Sequence, residues 1–183
     1  MKKRLLFLTG SPGVGKTTIL LKAVEVLRDK GFSVGGIVTR EVRSMGERVG
    51  FEILDISGSR RGWLARVDQN QGPRVGRYRV NLEDLNSVGA AALLKGVEDS
   101  DIVAVDEVGP MESCSTQFMN AVEKSVESRK IVIGTIHWKM RNKLIDEIRG
   151  REDAEIFVVT RENRDSLHEI IALKAEESLE KNT

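Results

Sequence analysis

Gly10-Ser11-Pro12-Gly13-Val14-Gly15-Lys16-Thr17 sets glycines, a cation and a hydroxyl at the spacing G-x-x-x-x-G-K-[ST]. That combination is suited to holding a chain of phosphates. Glycines let the backbone wrap closely around phosphate oxygens and aim its N–H groups inward, where side chains would block the approach. Lys16 is placed to bridge β- and γ-phosphate oxygens, and the Thr17 hydroxyl to ligate Mg²⁺. Thr18 offers a further hydroxyl nearer the α-phosphate. The loop residues Gly10, Ser11, Pro12, Gly13, Val14 and Gly15, with Lys16, Thr17 and Thr18, are therefore the expected nucleotide contacts. A chance glycine loop is the alternative; it is disfavoured because the match lies between an apolar strand and an amphipathic helix, the context the motif requires.

A second set of chemical groups follows Ile102-Val103-Ala104-Val105, an apolar run ending in Asp106-Glu107. Neighbouring side chains on a strand point to opposite faces, so two adjacent acids do not share one task unless the strand is ending. Asp106 is placed to hold Mg²⁺ through its water shell. Glu107, read as lying just past the strand end, is placed to orient and deprotonate an attacking water. A carboxylate beside the magnesium aspartate suits hydrolysis, whereas a kinase must exclude water and bind a second substrate. Lys16, Asp106 and Glu107 are thus the expected catalytic residues, with Thr17 and Asp106 at the metal. The bland alternative is a solvated acid pair at a strand terminus.

The elements that must position these groups alternate in type. Leu5–Leu8 reads as a strand buried on both faces. Ile19, Leu20, Ala23, Val24 and Leu27 repeat at helical spacing from Lys16, and Gly31 follows Lys30 where a C-cap glycine belongs. Residues 33–40 read as a second strand, completing a βαβ unit. Residues 41–80 break the pattern: Val49, Phe51 and Ile53 alternate with polar residues, Ser57-Gly58-Ser59 makes a turn, and residues 63–67 return. This predicts an inserted β-hairpin. A helix over about 82–95, capped by Asn81, precedes the acidic strand. Further strands at 131–136 and 156–159 alternate with helices, which implies one α/β domain over 1–183 with a mostly parallel sheet covered on both sides. By fold analogy, glutamate-bearing P-loop folds insert a strand between the P-loop strand and the acidic strand, giving core order 5-1-4-3-2.

The P-loop with Thr18, then Thr39-Arg40-Glu41-Val42-Arg43, Gly50-Phe51, Asp106-Glu107-Val108-Gly109-Pro110-Met111-Glu112 and Thr160-Arg161-Glu162-Asn163-Arg164-Asp165, occur in that order. Together they resemble the THEP1-type nucleoside-triphosphatases, small P-loop proteins, over nearly the whole chain. The resemblance implies a three-layer, RecA-like P-loop NTPase fold and hydrolysis of ATP, GTP, CTP, UTP and TTP with little base selectivity. Thr135 and His137 match that family's Thr-x-His, and related folds place a γ-phosphate sensor where His137 stands; a solvated loop histidine is the alternative. By analogy of fold, Asn163 and Arg164 after the last strand lie where a nucleobase edge is held, although an N-cap asparagine beside an exposed arginine explains them almost as well. A transition-state cation beyond Lys16 is also required, and Arg40, Arg43, Arg141 and Arg151 are candidates, with Arg43 preferred because it lies in a matched segment.

Bulk properties narrow the rest. The 183 residues carry 29 Lys and Arg against 28 Asp and Glu, so no global field favours nucleic acid or an anionic membrane. Cys114 is the only cysteine, which excludes an intramolecular disulfide and a cysteine-based zinc site. The apolar run after Met1-Lys2-Lys3-Arg4 is too short for a signal segment, and a cytoplasmic location is expected. Arg60, Arg61, Arg66, Arg74, Arg77 and Arg79 face one acid, Asp68. Contact with RNA or DNA phosphates is one reading; a solvated edge guarded against strand pairing is preferred. Two competing functions stay open: a small-molecule or nucleotide kinase, and a nucleotide-gated module for RNA or a protein. The insert makes a poor kinase lid because it precedes the acidic strand. No partner beyond the nucleotide, and no oligomeric state, follows from these residues.

Overall fold

The computed structural model describes residues 2–58 and 60–180; Met1, Ser59 (the end of the expected Ser57–Ser59 turn) and residues 181–183 lie outside it. Strand β1 (Leu5–Thr9) leads through the glycine loop into helix α1 (Lys16–Asp29) and then β2 (Val34–Ser44). Next come β3 (Glu47–Asp55), β4 (Arg61–Arg66), β5 (Arg74–Val75) and β6 (Tyr78–Val80). Helix α2 (Leu82–Asp84) runs through a π turn at Leu85–Ala90 into α3 (Ala91–Asp99). The chain closes with β7 (Ile102–Val108), α4 (Thr116–Glu127), β8 (Ile131–Ile136), α5 (Lys143–Gly150), β9 (Ala154–Val158) and α6 (Leu167–Glu180).

Among the described residues nine strands form one sheet, in the order β5-β6-β4-β3-β2-β7-β8-β1-β9. Its parallel part is β2, β7, β8, β1 and β9, which counted among themselves run 5-1-4-3-2. Side-chain alternation divides the core into two. Leu5, Phe7, Val103, Val105 and Val132 pack with Leu93, Phe118 and Ile145 of α3, α4 and α5. Leu6, Leu8, Ile102, Ala104 and Ile133 pack on the opposite face with Leu20 and Ile171 of α1 and α6. Strands buried on both faces read as continuous apolar runs for this reason.

Two expectations about the elements change. The insert over 41–80 is more than a hairpin: β2 continues to Ser44, turns at Met45-Gly46, and pairs antiparallel with β3, after which β4, β6 and β5 extend the sheet. Polar Arg40–Ser44 remains a strand because it is paired; Arg40 sits opposite Glu52 and forms an ion pair with it. The acidic strand also runs further, through Val108, so Glu107 lies inside β7 rather than beyond its end. The β7–β8 ladder slips between Val105 and Val108, so the two acids stand where the regular pairing is interrupted.

Candidate nucleotide site

The loop between β1 and α1 depends on glycine where it was expected to. Gly13 has φ 75° and Gly15, the N-cap of α1, has φ 114°, both in the region that side chains rarely adopt. No acid occupies the first turn of α1, so nothing negative competes for its N-terminal amides. The Lys16 amine turns back onto the loop and donates to the Gly10 carbonyl at 2.9 Å and the Ser11 carbonyl at 3.2 Å. Ser11, Pro12, Gly13 and Thr18 are exposed, while Val14, Gly15, Lys16 and Thr17 are half-buried.

Asp106 is only 1% exposed and ties its own strand β7 to β2, β8 and α1. Its Oδ2 accepts from the Thr17 hydroxyl at 2.9 Å, the Thr39 hydroxyl at 3.1 Å and the Thr39 amide at 3.3 Å; its Oδ1 accepts from the Thr135 hydroxyl at 2.8 Å. Burial pushes its pKa up, and the hydrogen bonds from Thr135, Thr17 and Thr39 oppose that shift. The structure therefore brings Thr17 and Asp106 together, as the pairing of hydroxyl and carboxylate at one ion requires. Both are hard oxygen donors, the kind Mg²⁺ takes alongside phosphate oxygens and waters. Among the described residues no group of three or more His, Cys, Asp and Glu is built to hold a metal by itself.

Glu107 and Lys16 line one cavity of about 290 Å³ with Gly10, Pro12, Thr39, His137 and Glu112. Burial raises the Glu107 pKa to about 7, with Lys16 lowering it and Asp106 raising it. Glu112 is 5% exposed, and burial, with Glu107 adding to it, raises its pKa to about 8. The two glutamates converge on Gly109: a side chain there would begin 3.1 Å from Glu107 Oε1 and 3.2 Å from Glu112 Oε2. A glycine at that point keeps both carboxyl groups in the cavity.

The remaining expected contacts are placed as follows. His137 lines the cavity, accepts from the Met140 amide through Nδ1 at 3.2 Å, and has its pKa lowered by burial, then by Lys16 and Lys139. Arg164 reaches the loop, its Cδ 4.0 Å from where a side chain on Gly15 would start. Both ends of the Asn163 amide are occupied within its own loop, by the Thr160 amide at 2.8 Å and the Val158 carbonyl at 2.9 Å. None of Arg40, Arg43, Arg141 and Arg151 lines the cavity. Arg43, the preferred candidate, bonds Glu41 at 2.6 Å and the Gly46 carbonyl at 2.9 Å at the far end of β2, because the strand carries it away from Thr39. In the insert, Arg66 stacks 4.5 Å over Trp63 and pairs with Asp68, Arg79 donates to the Gly72 carbonyl, and Arg77 to Arg48.

Thr39, Thr135 and Glu112 were not singled out for these contacts. The two threonines reach Asp106 only through strand register, since Ile37 and Gly134 lie beside Val105 on either side. Pairing of that kind has no signature along the chain. Glu112 stood within a matched segment, but its spacing from Glu107 reveals no role until the turn at Gly109 brings it back.

The NTPase family model matches residues 5–172. A protein named nucleoside-triphosphatase THEP1 from Thermofilum pendens is 45% identical, covering 91% of this chain and 92% of its own. One of the same name from Methanosarcina barkeri is 44% identical over 87% of this chain and 90% of its own. Among solved structures, THEP1 from Aquifex aeolicus superposes with TM-score 0.81 at 30% identity, covering 91% of this chain and 96% of that one. A human cancer-related nucleoside triphosphatase gives 0.80 at 37% identity, covering 96% and 98%.

Proposed function

We propose that this chain, which belongs to the THEP1 nucleoside-triphosphatase family, hydrolyses nucleoside triphosphates to diphosphate and phosphate with Mg²⁺ and little preference among bases. The observation that carries the reading is the shared cavity of Lys16 and Glu107 beside an Asp106 already bonded to Thr17. The loop amides from Gly13 to Lys16 take the β-phosphate, and the Lys16 amine leaves the Gly10 and Ser11 carbonyls for the β- and γ-phosphate oxygens. Thr17 and Asp106 would hold the metal, which would supply charge neutralisation on the phosphates.

Glu107 takes the proton of the attacking water. Its pKa, raised by burial to about 7, suits a base working near neutrality. Asp106 is kept from that task by three hydroxyl donors, which hold its carboxylate in one orientation. His137 lies across the same cavity as a neutral imidazole, able to donate to a γ-phosphate oxygen. Arg164, beside the loop at Gly15, is the residue assigned to the base in this reading.

The test is phosphate release from a panel of nucleoside triphosphates with Mg²⁺ and no second substrate. Glu107→Gln keeps nucleotide affinity and loses about 10²–10⁴-fold in turnover, the range for a positioned base. Lys16→Ala weakens both. Unchanged turnover in Glu107→Gln would remove the base assignment.

A further inference from the structure

The cavity beyond Lys16 has a wall that hydrolysis by water does not use. Phe51, Leu64 and Val75, from β3, β4 and β5, face it together with Met111 and Trp138. These residues bring the inserted strands to the reacting end of the nucleotide: β2 lies beside β7, so the extension of β2 hangs next to Asp106. The position of the insert ahead of the acidic strand in sequence therefore does not keep it from closing over the site. At about 290 Å³ the space is at the small end of cavities that take organic ligands, and an apolar lining with a few polar groups at one end is their usual composition.

The polar groups define what fits. Lys16 is the one Lys or Arg in the lining among the described residues, and the γ-phosphate occupies it. Facing it are Glu107 and Glu112, and the charges acting on Glu112 are those of Glu107 and Asp106. A molecule carrying its own phosphate or carboxylate would meet two acids and no second cation. Glu112 is 95% buried, it faces the cavity, and the water-activating role of Glu107 does not need it.

We propose that this cavity is an acceptor subsite, and that the protein transfers the γ-phosphate to an uncharged small molecule with an apolar body and a hydroxyl group. The inference rests on the placement of the γ-phosphate at Lys16 given above. The body lies against Phe51, Leu64 and Val75, and the hydroxyl sits between Glu112 and Glu107. With its pKa near 8, the Glu112 carboxyl keeps its proton at neutrality and both donates to and accepts from a hydroxyl. The hydroxyl oxygen attacks the γ-phosphorus while the bond from that phosphorus to the β,γ-bridging oxygen breaks. The diphosphate leaves with the electron pair, and the hydroxyl proton passes to Glu107 and on to solvent. Overall, triphosphate and alcohol give diphosphate, a phosphate monoester and a proton. Hydrolysis is the reaction that runs when the subsite holds only water.

The experiment incubates the intact protein with Mg-ATP and either benzyl alcohol or glycerol as probe, and quantifies ADP, inorganic phosphate and phosphate monoester by ³¹P NMR. Benzyl phosphate should form with saturable dependence on benzyl alcohol, and exceed glycerol phosphate at least about tenfold at equal concentration, the discrimination a few apolar contacts supply. Val75→Trp, on a two-residue edge strand, should lower the ratio of benzyl phosphate to inorganic phosphate, and Val75→Ile should retain it. Inorganic phosphate with no monoester overturns the acceptor subsite and leaves hydrolysis standing. Monoester that is non-saturable and no better from benzyl alcohol than from glycerol also overturns it, since bulk alcohol replacing water explains that result. ADP failing to form under any condition removes the hydrolytic reading and this one together. The saturation measurement uses the unaltered protein, so it decides the matter even if Val75→Trp does not fold.

Discussion

Asp106 and Glu112 are both buried acids in one site, yet their surroundings make them opposite in character. Three threonine hydroxyls converge on Asp106 and favour its charged form against the burial that disfavours it. Glu112 has only the amides of Gly109 and its own residue to set against burial and the charge of Glu107, and its pKa rises from 4.5 to about 8. The consequence is a dependence of stability on pH. Between about 4.5 and 8 the folded chain holds a proton on Glu112 that the unfolded chain has released, so the folded state binds more protons. Stability assigned to this residue is complete below 4.5 and declines as pH rises through that window, by at most about 1.4 kcal/mol per pH unit. Glu112→Gln is neutral throughout and should flatten part of the fall; Glu107, raised to about 7, adds its own slope in the lower part of the window and keeps it in the variant. Melting temperature against pH for the two proteins checks this, and parallel curves would refute it.

Elements hold these side chains by their ends. Helix α4 begins where the chain leaves the acidic segment, and Ser115 caps it by accepting from the Phe118 amide at 2.9 Å while donating to Asn86 within the π turn. Ser115 is 4% exposed, so its loss leaves the buried Phe118 amide without its side-chain partner and removes a donor from the half-buried Asn86. Ser115→Ala should lower stability by about 1–2 kcal/mol, read from chemical denaturation with an unchanged m value. The element boundaries also show what the chain reveals about itself. Leu5–Leu8, Ile102–Val105 and residues 131–136 were legible as buried strands because both faces are apolar, and α1 because its apolar residues recur at helical spacing. The end of β2 past Arg40 was not, since Glu41, Arg43 and Ser44 carry no apolar alternation and are strand residues only through the ladder to β3. The site divides the same way. Gly10–Thr17 and Asp106-Glu107 are contiguous and could be read directly, whereas Thr39, Thr135 and the wall of Phe51, Leu64 and Val75 exist only after the sheet has assembled.

At the scale of the molecule, the proposed binding mode sets the nucleotide at the carboxyl ends of the parallel strands, between the loop after β1 and the loop after β9. Most of the contacts offered to it come from the first: backbone amides at Gly13–Lys16, the Lys16 amine and the Thr17 hydroxyl, all directed at phosphates that every nucleoside triphosphate shares. The loop after β9 offers Arg164, an exposed side chain, while the Asn163 amide is committed to Thr160 and Val158. A base held by a flat cation and little else is held without strong regard to its edge pattern, because discrimination needs buried donors and acceptors matched to that edge. Binding of a non-hydrolysable Mg-nucleotide at about 100 times its Kd should therefore stabilise the fold by about 2.7 kcal/mol. For a chain of this size that is a rise in melting temperature of roughly 5–10 °C. Adenine, guanine, cytosine and uracil analogues should give similar rises, Arg164→Ala should reduce all four together, and Lys16→Ala should reduce them further at the same nucleotide concentration. A rise confined to one base would show that the loop after β9 rearranges to read an edge, freeing the Asn163 amide from the backbone groups it now holds.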